Sequence, residues 1–421
     1  MRSPRRVAPR RAARERHAST TPRDGVTPPS AIRPGGQNAL GETHAEARLP
    51  TTDLDTTSLS QLVLAAGFVI GLGFGVALQL ARFCTMGAIA DVVVFGDATR
   101  LRMWVWAVLV AVLGTQALVG LGNVDLSASI YTGRRIAWLS LGLGGLAFGF
   151  GMVWAGGCPS RALARLSAGN LKALVVLLVV GLGAQMALRG LFARPRVEGL
   201  DGIALTLAGP QDLPSWLART SGWPADGWRL VVCLGLAVAL SAWLLRSREF
   251  RRPAPLLGGA AVGALVCAAW WVTGVLGHLP EHPETLEPAW LATDSRRPEA
   301  LSFVAPSAYT LELLTLWSDR GRTLSFGIAT LLGTLAGGCA SALWRREFRW
   351  EGFRDPGDLG RHLAGALLMG VGGVTALGCS IGQGVSGLSL LSTGSLVAVA
   401  GIATGAFAAL RLEARRMERA S

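Results

Sequence analysis

Three cysteines of this chain lie in short interruptions at the edges of apolar segments. They occur in Ala81-Arg82-Phe83-Cys84, in Ala155-Gly156-Gly157-Cys158 and in Gly378-Cys379-Ser380-Ile381-Gly382-Gln383-Gly384. Backbone at membrane depth leaves the helical conformation only where it is buried in protein or lines a polar cavity. A buried thiol is neutral, polarizable and a weak hydrogen-bond donor, so it contacts a sulphur-containing anion without holding it by full charge. Cys84, Cys158 and Cys379 are therefore predicted to line a path for such an anion.

The residues around these cysteines add further polar groups. Helix N-termini at the interruptions would direct partial positive charge at an anion, and nearby amides and hydroxyls would add neutral donors. Arg82 and Arg161 either attract an anion to the mouth of the path or anchor a helix end by snorkelling, and the sequence leaves both roles open. The predicted pathway set also contains Gly157, Gly378, Ser380, Gly382, Gln383 and Arg82, with Arg161 and Cys339 as further candidates.

The other three cysteines have packing as an alternative role. Cys233 and Cys267 lie inside apolar segments and are expected to pack, whereas Cys339 follows Gly337-Gly338 and fits either role. No Cys-x-x-Cys pair occurs, so all six cysteines are expected to be free thiols.

Neither metal binding nor catalysis is predicted at the three interruptions. The five histidines lie away from these cysteines, and structural zinc sites use close-set ligand pairs. Nucleophilic catalysis needs a base beside the thiol, and none is adjacent in the sequence. We therefore expect no metal, no catalytic residue and no cofactor.

Composition indicates an all-α polytopic membrane protein. Hydrophobic residues make up 51% of the 421 positions, and 55 residues are glycine. The formal net charge of +13 comes almost entirely from arginine, concentrated before the first apolar segment and between later ones. That distribution is typical of positively charged cytoplasmic loops, so we expect a lipid bilayer and not nucleic acid as the partner of this charge.

The chain divides into a polar tail and a membrane domain. Residues 1–55 are rich in Arg, Pro, Ser and Thr and contain no apolar segment, which predicts a disordered tail. Residues 56–421 form the predicted transmembrane domain. It contains nine segments long enough to cross about 30 Å of hydrocarbon, at 60–82, 101–122, 136–156, 171–192, 229–246, 256–277, 323–343, 360–377 and 394–411.

Arginines near the ends of these segments predict the orientation. They cluster in the links 246–255 and 344–359 and in the C-terminal tail. Because such clusters favour the cytoplasmic side, we expect a multi-pass protein of the cell (inner) membrane with its C-terminus in the cytoplasm.

An internal repeat relates two of the cysteines. A shift of 221 positions places Cys158 on Cys379, Gly151 on Gly372 and Gly144 on Gly365. An odd number of predicted spans separates the copies, so the two halves, about 60–192 and 323–412, should be inverted and joined by 193–322. Inverted repeats with broken helices are a transporter architecture, although glycines at helical spacing also occur simply because they let membrane helices pack closely.

At these residues the chain resembles the YeeE/YedE family of sulphur-transport membrane proteins. The resemblance rests on Gln79-Leu80-Ala81-Arg82-Phe83-Cys84, on Phe148-Gly149-Phe150-Gly151-Met152-Val153-Trp154-Ala155-Gly156-Gly157-Cys158 and on Gly378-Cys379-Ser380-Ile381-Gly382-Gln383-Gly384, and it extends over residues 60–412. Ala81 and Leu377 stand where the family usually has glycine, and Pro159-Ser160-Arg161 where it usually has small residues.

The resemblance implies nine spans in an hourglass, with Cys84, Cys158 and Cys379 passing thiosulfate along by S–H contacts. It also implies a cytosolic TusA-like sulphur carrier as a partner. Two alternatives remain open at this stage. One is a membrane-embedded relay that forms a persulfide on a cysteine, and the other is a transporter of a selenium compound.

Overall fold

A computed structural model describes residues 56–283, 285–319, 321–353 and 356–420. The tail predicted for residues 1–55 lies outside this part of the chain. Thirteen α-helices occur within the described residues: α1 (Thr56–Ala81), α2 (Thr85–Ala90), α3 (Thr99–Gly120), α4 (Trp138–Trp154), α5 (Pro159–Ser167), α6 (Leu171–Leu188), α7 (Leu213–Ser221), α8 (Ala225–Leu245), α9 (Pro253–Trp271), α10 (Val304–Thr315), α11 (Phe326–Trp344), α12 (Pro356–Thr375) and α13 (Thr393–Ala420).

Strands are short and lie in the links between helices. β1 (Arg135–Ile136) pairs antiparallel with β2 (Leu205–Thr206), and β3 (His278–Leu279) pairs antiparallel with β4 (Ala289–Trp290). Single π-helical turns follow α2 and α9 and occur in two links, at Asp91–Phe95, Val272–Leu276, Pro195–Leu200 and Gly382–Gly387.

Each of the nine predicted spans coincides with a helix, which confirms an all-α polytopic membrane protein. Among the described residues, eight helical segments are long and apolar enough to cross a membrane, and they contain α1, α3, α4, α6, α8, α9, α11 and α13. The remaining predicted span, 360–377, corresponds to α12, which is less apolar than the other eight. Its first two turns carry Asp358, Arg361 and His362, and these polar side chains lower the mean hydropathy.

The crossing of α4 and α12 shows the inverted repeat directly. A methyl group added at Gly151 would lie 2.5 Å from the carbonyl oxygen of Gly365, and one added at Gly365 would lie 2.6 Å from the carbonyl oxygen of Gly151. Gly144 and Gly372 make the same reciprocal contact, at 2.8 and 2.7 Å. The two helices are antiparallel, and the 221-residue shift exchanges the two contacts. Such self-complementary pairing is the signature of a two-fold relation.

Four other close pairs are parallel. α4 packs along α13 through Gly145 and Gly149, and α12 packs along α6 through Gly370. The repeat exchanges these two pairs. α1 packs along α11, and α3 along α9, again through glycines that bring backbones into contact. The glycine-rich composition is therefore used for close helix packing, as in many membrane bundles.

Candidate functional site

The ends of α4 and α12 have the same backbone conformation. The left-handed residues are Gly156 (φ +71°) after α4 and Leu377 (φ +56°) after α12. The next amide, of Gly157 or Gly378, donates to the carbonyl oxygen five residues earlier at 2.8 Å in both copies. These bonds form the Schellman arrangement that closes a helix. Leu377 keeps the left-handed conformation although it has a Cβ, which costs about 1–2 kcal/mol.

Cys158 directly follows the first of these turns. It occupies the N-cap position of α5, where its side chain makes no capping hydrogen bond; Pro159 is the first helical residue, and Cys158 itself is buried. Its Sγ lies 3.2 Å from the hydroxyl of Ser160. The chain therefore turns back into the protein with a buried thiol at the point of reversal.

Cys379 follows the second turn and is also buried. Its Sγ accepts the amide of Gly382 at 3.4 Å. The hydroxyl of Ser380 is buried without a hydrogen-bond partner among the described residues. Gln383 donates its side-chain amide to the carbonyl oxygen of Ala376 at 2.6 Å, while its Oε1 is buried and unpartnered. The second interruption thus carries two unsatisfied buried polar atoms beside its thiol.

Cys84 lies at the third interruption, after α1. The left-handed residue here is Arg82 (φ +50°), while Ala81 remains the last residue of the helix. Cys84 caps α2, and its Sγ accepts the amide of Gly87 at 3.2 Å. Unlike Cys158 and Cys379 it is half-buried.

A cavity of about 300 Å³ opens beside Cys84, and we call it the Cys84 cavity. It is lined by Arg82, Cys84, Met86, Gly87, Arg100, Gly156, Arg161 and Arg165. Arg100 pairs with Asp91 at 3.3 Å, and Arg165 donates to the carbonyl oxygen of Gly156 at 3.2 Å. Arg82 and Arg161 have no ion-pair or hydrogen-bond partner within the described part of the chain. The Cys84 cavity is therefore strongly electropositive.

A second cavity, of about 190 Å³, lies at the opposite end of the α4–α12 pair. We call it the Tyr131 cavity. Its polar lining includes Tyr131, Glu299, Ser302 and Tyr309, and Gly378 forms part of its wall. Because α4 and α12 are antiparallel, the turn after α12 and this cavity face away from the turn after α4 and the Cys84 cavity. The two cavities therefore open toward opposite faces of the molecule.

Each buried thiol follows a turn that lines one of these cavities: Cys158 follows Gly156 of the Cys84 cavity, and Cys379 follows Gly378 of the Tyr131 cavity. Cys158 is close enough to interact electrostatically with both Cys84 and Cys379. All six cysteines are free. Cys339 lies within uninterrupted α11, and Cys267 lies in α9, where its Sγ is 3.5 Å from the carbonyl oxygen of Ala111. Among the described residues, no group of three or more His, Cys, Asp or Glu is arranged to hold a metal ion.

Comparison with known proteins identifies the family. A family model described as sulphur transport matches residues 80–408, which include all three interruptions. The chain belongs to the YeeE/YedE sulphur-transport family. The thiosulfate transporter TsuA of Escherichia coli (strain K12) is 24% identical over 337 residues, covering 77% of this chain and 87% of that protein.

Two further relatives in the family differ in extent. The thiosulfate transporter TsuA of Spirochaeta thermophila is 24% identical over 343 residues, covering 79% of this chain and 93% of that protein. A probable transporter, YedE, of Salmonella typhimurium is 29% identical over 116 residues, which are 27% of each chain. The resemblance predicted from the three cysteine motifs is thereby confirmed.

Several residues that line the two cavities were not predicted from the sequence. Arg165 follows Arg161 by one helical turn, and that spacing could have revealed a shared basic face on α5. The chain contains only two tyrosines, and both line the Tyr131 cavity. The rarity of tyrosine was a signal that could have pointed to Tyr131 and Tyr309. Glu299 lies in a loop, and no local sequence pattern marks it.

Proposed function

We propose that this protein takes up thiosulfate, or a closely related sulphur-containing anion, along a path from the Tyr131 cavity past Cys379 and Cys158 to the Cys84 cavity. The observation that supports the proposal is the pair of cavities on opposite faces, each lined by the turn that precedes one of the two repeat-related buried thiols. The two relatives named thiosulfate transporters supply the substrate.

The arginine clusters support an orientation of the protein in the membrane. Helix alternation places the α8–α9 link, the α11–α12 link and the end of α13 on the face of the Cys84 cavity. Arginines are enriched on the cytoplasmic side of cell membranes. The Cys84 cavity then faces the cytoplasm, the Tyr131 cavity faces outward, and the C-terminus is cytoplasmic.

The chemistry of the path suits a soft anion that must also be released. The thiols of Cys158 and Cys379 offer weak S–H donors, which bind a polarizable sulphur-containing anion less tightly than an ion pair would. The unpartnered Ser380 hydroxyl adds a neutral donor beside the Cys379 thiol. A fixed cation at this depth would bind the anion more strongly and slow its release.

The inner end of the path is different in character. Unpaired Arg82 and Arg161 beside Cys84 attract an anion electrostatically to the inner mouth. A cytosolic TusA-like sulphur carrier would collect its cargo at this mouth. Half-buried Cys84 is the thiol that such a partner can reach.

Uptake of radiolabelled thiosulfate by a sulphur-starved host tests this proposal. Cys84→Ala, Cys158→Ala and Cys379→Ala should each abolish uptake while the protein still reaches the membrane. Cys233→Ala is the matched control, because Cys233 lies in the peripheral helix α8 and outside both cavities. Unchanged uptake in all three pathway variants would refute the role of the thiols.

Mass spectrometry of the purified protein after exposure to thiosulfate separates transport from a persulfide relay. Hydrogen-bonded passage leaves all six cysteines unmodified, whereas a relay leaves an added sulphur atom on one of them. A stoichiometric adduct on Cys84, Cys158 or Cys379 would replace the proposed passage with a relay.

A further inference from the structure

Glu299 is a carboxyl group fixed in the wall of the Tyr131 cavity. Its Oε1 accepts the amide of Ser295 at 2.8 Å. Its own amide donates to the hydroxyl oxygen of Thr273 at 3.1 Å, and that hydroxyl donates to the carbonyl oxygen of Glu299 at 2.6 Å. The loop that carries Glu299 is thereby tied to the end of α9, so the carboxyl group has a defined position.

The cavity gives this carboxyl group no cationic partner. Among the described residues, its lining contains no Lys, Arg or His. The ionisable side chains that act on Glu299 are Asp294 in the same loop, Tyr131 in the α3–α4 link and Tyr309 on α10. None of them is a base that would hold the Glu299 carboxylate by charge. The Cys84 cavity differs in this respect, because four arginines line it.

The environment therefore favours the neutral acid. Burial raises the pKa of Glu299 from 4.5 to about 7, hydrogen bonding by the side chain and the amide of Ser295 opposes this shift, and the Asp294 carboxylate adds to it. A carboxyl group near half-protonation at neutral pH changes its charge within the range that a cell surface meets.

The cavity leads to the second interruption. Ser302 and Tyr131 separate it from the turn at Gly382, where an added methyl group would lie 3.0 Å from the Ser302 hydroxyl and 3.4 Å from the Tyr131 hydroxyl. An anion that approaches the turn at Gly382 through the Tyr131 cavity passes Glu299 in the cavity wall. An ionised carboxylate repels that anion, whereas the protonated group donates an O–H to it.

We propose that Glu299 is a proton-binding residue of the uptake path, and that an anion occupies the Tyr131 cavity only when Glu299 is protonated. This inference rests on the proposed direction of uptake. It makes transport proton-linked at the outer cavity while the inner cavity works through fixed arginine charge.

Thiosulfate uptake by proteoliposomes of the full-length protein tests the inference at pH 6, 7 and 8, with equal pH inside and outside. Thiosulfate stays a dianion throughout this range, so the substrate itself does not titrate. At a substrate concentration well below saturation, the initial rate should follow the protonated fraction of Glu299. For a pKa of about 7, the rate falls about ten-fold from pH 6 to pH 8.

Glu299→Gln removes the titration and keeps an oxygen that accepts the Ser295 amide. We expect this variant to lose the pH dependence and to exceed the wild-type rate at pH 8. Glu198→Gln is the matched control, since Glu198 lies in an outward link, is exposed and pairs only with Arg194. It should keep the ten-fold decline.

The outcomes distinguish this inference from the proposed function. Wild-type protein with no uptake at any pH would remove the proposed function itself. Wild-type uptake with a Glu299→Gln variant that retains the decline, or that is slower than wild type at pH 8, would overturn the role of Glu299 alone.

Discussion

The α4–α12 crossing gives a quantitative prediction about Gly151 and Gly365. A methyl group at either position would lie 2.5–2.6 Å from a backbone carbonyl oxygen of the other helix. Backbone cannot move aside as a flexible side chain does, so the helices must separate. Overpacking of this kind costs about 1–3 kcal/mol. We expect Gly151→Ala and Gly365→Ala to destabilise the protein by similar amounts, because the contact is reciprocal and each methyl group would meet the other residue's carbonyl oxygen at nearly the same distance.

The double variant carries the sharper test. Once the first methyl group has separated the helices, the second enters space that is already partly open. The destabilisation by Gly151→Ala together with Gly365→Ala should therefore be smaller than the sum of the single effects. Two independent packing sites would instead give additive losses.

Thermal unfolding of the detergent-solubilised protein measures these effects. Gly235→Ala is the matched control, because a methyl group there meets no atom within 4 Å and α8 lies at the periphery. It should raise stability slightly, by up to about 1 kcal/mol, since alanine favours a helix over glycine. Thermal midpoints of Gly151→Ala and Gly365→Ala that match this control would refute the close crossing.

Further predictions concern charge, backbone strain and pH. Arg82→Ala and Arg161→Ala should lower the rate of thiosulfate uptake at saturating as well as at low external concentration, because these arginines act at the inner mouth, after the anion has entered the path. Uptake equal to that of wild type at every concentration in both variants would remove that role. Leu377→Gly should raise the thermal midpoint of unfolding. Relief of the left-handed strain, about 1–2 kcal/mol, exceeds the entropic cost of glycine, about 0.5–1 kcal/mol. A lower midpoint would show that packing of the Leu377 side chain stabilises the protein by more than the strain costs. The pKa of Glu299 in the folded protein is raised from 4.5 to about 7. Between these two pH values the folded protein holds a proton that the unfolded protein releases. The free energy of unfolding should therefore fall as the pH rises from about 4.5 to about 7, and then level off. In Glu299→Gln that fall should be smaller, and an equal fall in both proteins would assign it to another group.

Much of the fold could be predicted because the relevant signals are local in sequence. Apolar length located all nine predicted spans, and the 221-residue shift located the turns at Gly156 and Leu377. Leu377 has the left-handed conformation of Gly156, its counterpart in the repeat, although it is not a glycine. Backbone geometry is here set by the packing of α12 and not by local preference.

The cavity walls could not be predicted from sequence in the same way. Tyr131 and Glu299 come from links of irregular structure, which have no hydrophobic period. Their positions depend on distant contacts, such as the bonds between Glu299 and Thr273. The helix α10 also escaped prediction, because it lies in a long polar link and is stabilised by packing on α6. Local patterns thus located the thiols, and tertiary contacts decided what surrounds them.

The central claim is that buried thiols carry a sulphur-containing anion between the two cavities. The most direct measurement is the uptake of labelled thiosulfate by purified protein in proteoliposomes, compared with the Cys158→Ala and Cys379→Ala variants. Saturable uptake by wild-type protein, reduced to the level of empty vesicles in both variants, is the predicted result. Wild-type uptake no greater than that of empty vesicles, or undiminished uptake in both variants, would contradict the account.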